Sequence, residues 1–326
     1  MAATPSERQG SSNLKEEMAK RGITLQEGDL LSSLPLVLHH NFWFDSELLK
    51  SIQLVQAQFV PRADDIILAT FPKCGTTWLK ALAFAIANRS SHAFADHPLL
   101  TRHPQDVVPF LEVPFRQIQP LSDIDTIPSP RLLATHAPLS LLPTSVTDVG
   151  CRFVYLCRDP KDVVVSLWHF ENRIHDKISI DLGQYFHLFC EGVTVCGPIW
   201  NQYLEYWNES KARQDKVLFL KYEEMMENPV KEVKRLADFL GVPFTDTEER
   251  SGVIDEVVKL CSFENLSTLE VNSSGVADRI GGFPMENSAY FRRGKVGDWV
   301  NHLSGEMTQQ LDFIVNEKLK GSGLTF

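Results

Sequence analysis

The chain reads as short, continuously apolar runs alternating with longer segments of helical character. The first such run, 66–70 (Ile-Ile-Leu-Ala-Thr), predicts a buried strand, and the segment after it predicts a helix over roughly 76–88. Further strands are expected at 131–135, 152–157 and 217–220. Helices are expected at about 160–172, 229–240 (stopped by Gly241), 249–261 and 304–319. Strands that are apolar throughout and alternate with helices imply a parallel sheet covered on both faces. Residues 29–60 carry aromatic and aliphatic anchors, among them Phe42, Trp43, Phe44, Leu48, Ile52 and Phe59, and predict a lead-in segment ending in a helix packed on the core. Residues 1–28 are polar and predict a mobile tail. No linker or internal repeat divides the remainder, so 29–326 is expected to be one α/β domain.

Composition narrows this picture. A 326-residue chain that is 43% hydrophobic and 23% charged can bury a sizeable core. Its net charge of −10 and pI near 5.5 argue against nucleic acid or an anionic membrane as the main partner. The six cysteines form no Cys-x-x-Cys pair and read as reduced core thiols of a cytoplasmic protein. Cys74 is the one expected to be chemically exposed. The N-terminal segment has no apolar leader-like core, and no run reaches membrane-spanning length.

The most chemically specific stretch is the turn Phe71-Pro72-Lys73-Cys74-Gly75-Thr76-Thr77-Trp78, between the first strand and the first helix. Helix N-terminal N–H groups point at an anion placed there, and the helix dipole favours its charge. Lys73 adds a cation and Thr76 and Thr77 add hydroxyls. The order Lys-x-Gly-Thr-Thr differs from the Gly-x-x-x-x-Gly-Lys-Ser/Thr loop of nucleoside triphosphatases.

Ligands of doubly wound sheets bind beyond the carboxyl ends of the strands. Those ends carry Lys73, His136, Arg158 (with Ser166 two turns into the next helix) and Tyr222. This is an anion site with one titratable imidazole. No Asp/Glu/His cluster has metal-ligand spacing, and Arg158 beside Asp159 would oppose a magnesium ion. Residues 273–297 form a glycine-rich segment bearing Arg279, Arg292, Arg293 and Lys295; either a solvated loop or a lid whose cations grip an anion would fit that composition.

These residues resemble the cytosolic sulfotransferases, in particular their soluble plant branch. The Pro72–Trp78 turn resembles the family's 5′-phosphosulfate loop, and residues 155–170 resemble its 3′-phosphate strand and helix. The stretch 291–299, Phe-Arg-Arg-Gly-Lys-Val-Gly-Asp-Trp, resembles its C-terminal signature. Residues 260–266 and the Gly-Ser-Gly-Leu near the C-terminus look like the plant members.

The resemblance, which runs from about residue 35 onward, implies a P-loop-like sulfotransferase fold. It implies 3′-phosphoadenosine 5′-phosphosulfate (PAPS) as donor and 3′-phosphoadenosine 5′-phosphate (PAP) as product, without a metal. Lys73, Cys74, Gly75, Thr76 and Thr77 would hold the 5′-phosphosulfate. Arg158, Ser166, Arg292, Arg293 and Gly294 would hold the 3′-phosphate, and Trp78, Tyr222 and Phe263 the adenine. His136 falls on the family's catalytic base, with Lys73 as its catalytic partner.

Phe110 and Phe170 resemble positions lining the acceptor pocket; Phe42, Trp43, Phe44, Phe115, Trp168 and Trp200 are further candidates. The implied acceptor is a small, largely apolar hydroxyl compound: a flavonoid, brassinosteroid, hydroxylated jasmonate, salicylate or strigolactone precursor. Two departures stand out. Ala134 occupies the place of a second active-site lysine of many animal members, and Cys74 replaces the usual serine, which raises an expectation of redox sensitivity. The animal dimer motif is not found in 305–320. A nucleotide kinase or hydrolase, and a nucleotide-binding protein without chemistry, are the competing classes.

Overall fold

A computed structural model describes residues 36–113, 121–174, 179–279 and 284–326. The expected 1–28 tail and Phe115 lie outside the described residues. Four parallel strands form the central sheet: β3 (Ile66–Thr70), β4 (Leu132–Thr135), β5 (Arg152–Cys157) and β6 (Val217–Lys221), in the order β4-β3-β5-β6. Successive residues point to opposite faces, and both faces are covered, which is why each strand is apolar at nearly every position. Ile67, Ala69, Phe153, Tyr155 and Phe219 enter one core cluster; Ile66, Leu68, Val154, Leu156 and Leu220 enter the other.

The lead-in segment is more structured than its sequence announces. Strands β1 (Leu36–His39) and β2 (Phe42–Asp45) pair antiparallel, joined by a two-residue turn in which His40 (φ 48°) and Asn41 (φ 67°) both adopt the left-handed region. Helix α1 (Ser46–Gln58) follows, capped by the Asp45 carboxylate, which accepts from the N–H groups of Glu47 and Leu48.

Helix α2 (Thr76–Asn88) leaves β3 through the turn at 71–75, and α3 (Pro160–Ile174) leaves β5 at once. Helices α4 (Leu182–Cys190) and α5 (Ile199–Ala212) were not expected from the sequence. They pack with α1, α3 and the C-terminal α12 (Gly305–Leu319) on one face; on the other lie α2, α6 (Tyr222–Glu227) and α7 (Pro229–Leu240).

The single helix expected over 249–261 is two, α8 (Asp246–Arg250) and α9 (Val253–Leu260), broken at Ser251-Gly252. Short helices α10 (Phe263–Thr268) and α11 (Glu270–Ser273) lead to the hairpin β7 (Val276–Ala277) and β8 (Met285–Glu286). Helix α12 (Gly305–Leu319), capped by Ser304, closes the fold. All six cysteines are free and buried. No helix among the described residues is long and apolar enough to cross a membrane.

Candidate active site

A cavity of about 660 Å³ opens beyond the carboxyl ends of the strands. Lys73, Gly75, Thr76, Thr77, Trp78, Phe110, His136, Arg158, Ser166, Phe170, Tyr222, Phe263, Arg292, Arg293 and Gly294 all line it. The sequence had dispersed these residues over more than 220 positions.

The turn after β3 is held tight: Cys74 N–H donates to the Phe71 carbonyl at 3.2 Å, and Leu79 N–H to the Gly75 carbonyl at 2.9 Å. Lys73 is non-glycine yet has φ 67°, a conformation that costs free energy and collects at functional turns. Gly75 has φ 104°, and a Cβ there would lie 2.9 Å from the Tyr222 ring. Glycine therefore lets the Tyr222 ring approach the turn. The first N–H groups of α2 have no carbonyl one turn back and face the cavity end of the helix. The Lys73 ammonium sits 3.9 Å from the Phe170 ring centroid. Burial, then the charges of Arg292 and Arg158, push its pKa down to about 7.

Cys74 departs from expectation. It is fully buried, does not line the cavity, and its Sγ lies 3.2 Å from the Tyr203 hydroxyl. Burial pushes the thiol up to about 12. Its side chain faces the core behind the turn, so neither chemical exposure nor a side-chain contact with a ligand follows.

His136 stands where β4 ends, and its orientation is fixed. Nδ1 lies 2.8 Å from the Thr70 carbonyl oxygen, which can only accept, so Nδ1 carries the proton and Nε2 holds a lone pair. The Thr70 hydroxyl is 3.2 Å from the same nitrogen and 2.7 Å from the Thr76 hydroxyl. The backbone of His136 is clamped as well. Its N–H donates to Glu112 Oε1 at 2.5 Å, and its carbonyl accepts from Gln202 Nε2 at 2.7 Å. Glu112 Oε2 accepts from the Thr135 hydroxyl, and Gln202 Oε1 from Tyr155. Burial foremost pushes the imidazole down to about 4, partly offset by the Thr70 hydrogen bond. The ring is neutral at physiological pH.

The far end of the cavity is cationic. Arg158 lies over the Tyr222 ring at 4.5 Å, with Nη2 on the Lys295 carbonyl at 2.8 Å and on Asp162 at 3.2 Å. Arg292 and Arg293 both hold Asp298, at 2.5 and 2.7 Å. Burial alone would raise the Asp298 carboxyl, but hydrogen bonds from Arg292 and Asn301 outweigh it and bring it to about 2. Among the described residues, the Nε atoms of Arg158 and Arg292 are buried without a partner, which marks an unmet demand for an acceptor. Gly294 (φ +61°) lies so close to Phe263 that a Cβ would come within 2.4 Å of the ring. Trp78 meets Tyr222 edge-on at 5.4 Å. Arg279, expected as one of the lid cations, is spent internally on Asp106 at 2.6 and 3.0 Å.

Two guanidiniums with orphaned donors, a lysine at a helix N-terminus and an aromatic wall between them suit a nucleotide with phosphate at two positions. Leu36, Leu48, Tyr185, Leu188, Val193 and Val195 give the rest of the cavity an apolar lining. Sequence reasoning missed all six, because they come from the hairpin, α1, α4 and the loop after it. Of the other proposed wall residues, Phe42, Trp43, Phe44 and Trp200 are core side chains and, with Trp168, do not line the cavity. Among the described residues, no group of three or more His, Cys, Asp or Glu is arranged to hold a metal ion.

Comparison with known proteins agrees with this geometry. A family model described as "Sulfotransferase domain" matches residues 63–323. Cytosolic sulfotransferase 8 of Arabidopsis thaliana is 42% identical over 325 residues, covering 96% of this chain and 97% of that one. The crystal structure of an Arabidopsis thaliana protein described as a steroid sulphotransferase superposes with a TM-score of 0.69 at 36% identity, over 91% of this chain and 94% of that one. A mouse sulfotransferase complexed with PAP superposes with a TM-score of 0.66 at 26% identity, over 88% and 95% of the two chains.

Proposed function

The chain belongs to the sulfotransferase family, and from that premise we propose that it moves the sulfuryl group of PAPS to a hydroxyl of a small, largely apolar acceptor, with His136 as base and Lys73 as the cation at the leaving group. The observation that carries this reading is the Nδ1–Thr70 carbonyl contact of 2.8 Å, which leaves His136 Nε2 as an acceptor on a cavity shared with Lys73.

The donor residues fit. The N-terminus of α2, with Lys73, Thr76 and Thr77, would take the 5′ end; Arg158, Ser166, Arg292, Arg293 and Gly294 the 3′-phosphate; Trp78, Tyr222 and Phe263 the base. The donor supplies an activated sulfuryl group. His136 Nε2 accepts the acceptor hydroxyl's proton as that oxygen attacks sulfur, and Lys73 carries the negative charge left on the 5′-phosphate oxygen. Glu112 and Gln202 hold the His136 backbone, so the imidazole is aimed before an acceptor arrives. The apolar lining, including Phe110 and Phe170, selects flat or alicyclic molecules such as plant hormones or secondary metabolites. The cytosolic relatives support a cytoplasmic site of action.

The test is a thermal unfolding scan with PAP alone, against ATP with magnesium, followed by turnover of a hydroxylated acceptor panel. PAP at about 100 times its dissociation constant adds roughly 2.7 kcal/mol. His136→Ala is expected to keep that stabilisation and lose turnover. Stabilisation by ATP and magnesium alone, or turnover surviving in His136→Ala, overturns the reading.

A further inference from the structure

Helix α2 carries a lysine that the chemistry above does not use. Lys80 has no exposed surface, its Nζ lies 3.5 Å over the Phe110 ring centroid, and it does not itself line the cavity. A lysine with no solvent access is uncommon and needs a partner. Here the partner is Gln105: Nζ donates to Oε1 at 2.6 Å. The other end of that amide, Nε2, donates to the Thr77 hydroxyl at 2.9 Å. Burial pulls the Lys80 pKa far down, while Glu112 and Asp106 act to restore it and Arg279 opposes them.

The direction of this chain matters. Nζ donates to Oε1, which holds that oxygen of Gln105 towards Lys80 and turns the NH₂ towards Thr77. The Thr77 oxygen is then occupied as an acceptor, and its own proton is left to point at whatever occupies the cavity that Thr77 lines. With the amide reversed, the oxygen would claim that proton and the hydroxyl would be lost to an anion. Gln105 is itself anchored, because its neighbour Asp106 holds Arg279 of the glycine-rich segment.

We propose that Lys80 is a positioning residue for the donor's 5′ end, acting through Gln105 to hold Thr77 as a hydrogen-bond donor into the phosphate turn. This rests on reading that turn as the 5′-phosphosulfate site. The experiment measures binding of two nucleotides, PAP and adenosine 3′-phosphate, which lacks the group Thr77 would meet. Lys80→Met and Gln105→Leu are expected to weaken PAP by about 3- to 10-fold, the range of one hydrogen bond, and to leave adenosine 3′-phosphate unchanged. In a Thr77→Val background, Lys80→Met is expected to add no further loss.

Equal weakening of both nucleotides, additive losses in the cycle, or unchanged PAP affinity overturns the proposal and leaves Lys80 a packing residue. If Lys80→Met does not fold, Gln105→Leu, at the half-buried middle of the chain, decides alone. A wild-type protein that binds neither nucleotide overturns the donor-site reading itself, and this inference with it.

Discussion

The Tyr203 hydroxyl lies 3.2 Å from Cys74 Sγ and grips the backbone of Arg158 on both sides, accepting from its N–H at 3.1 Å and donating to its carbonyl at 2.7 Å. One buried phenol on α5 thereby ties the turn after β3 to the turn after β5. Removing it in Tyr203→Phe leaves the Arg158 carbonyl unsatisfied, at a cost of about 1–3 kcal/mol. The variant is expected to melt earlier and to bind PAP more weakly, by calorimetry. Unchanged PAP affinity would mean that the two turns are held by other contacts.

Cys74 is expected to resist alkylation and mild oxidation in the folded protein, because its thiol is fully buried and pushed up to about 12. Mass spectrometry after iodoacetamide treatment checks this. Cys74 modified at the rate of a free thiol would contradict the packing described.

Lys73 is expected to gain a proton when PAP binds. In the free protein, burial and the neighbouring arginines hold its pKa near 7, and an anion beside it raises that value. PAP affinity should therefore fall as pH rises above about 7. Calorimetry in buffers of different ionisation enthalpy should register proton uptake that is absent in Lys73→Met. Uptake of equal size in the variant would assign the proton elsewhere.

His136 sets a different pH limit. With its pKa brought to about 4, the acid limb of kcat/KM is expected well below pH 6.5, the ordinary histidine value. The same depression affects stability. The unfolded chain binds the proton more tightly, so this histidine's contribution is complete above pH 6.5 and is lost as pH falls towards 4. His136→Gln should flatten unfolding free energy against pH in that window, by up to about 1.4 kcal/mol per pH unit. Asp45, Asp159, Glu205 and Glu223, whose pKa values burial raises, act in the opposite direction and are common to both proteins. An identical slope in the variant would place the imidazole in solvent.

Gly294→Ala tests the proposed 3′-phosphate end, where the loop packs on Phe263. The left-handed φ costs a Cβ-bearing residue about 1–2 kcal/mol, and the 2.4 Å approach to Phe263 adds to it. PAP affinity is expected to fall by about tenfold or more, and Tm by a few degrees. Wild-type affinity would show that the loop adjusts freely.

The donor side of this protein was legible because it is built from local signals. Each strand-and-turn unit announces itself by an apolar run and a polar break, and its candidate site residue sits at the break: Lys73 after β3, His136 after β4, Arg158 after β5. The acceptor side was not. Leu36, Tyr185 and Leu188 are ordinary apolar residues until the β1–β2 hairpin and α4 fold over the sheet, and Trp43 and Trp200, more conspicuous in the sequence, turn out to fill the core. Buried polar partners were equally silent. Glu112 beneath His136 and Gln105 beside Thr77 acquire meaning only when segments more than 20 residues apart are brought into contact. Cys74 misled for the same reason: position in a functional turn does not say which way a side chain points.

The order β4-β3-β5-β6 puts the Lys73 and Arg158 turns on adjacent strands, so the distance between the two turns is set by a sheet spacing that loop evolution cannot alter. The walls of the apolar half come instead from the hairpin, α1, α4 and the loop after it, none of which pairs with that sheet. A lineage can therefore exchange acceptors by rewriting these peripheral pieces while the currency it transfers stays the same.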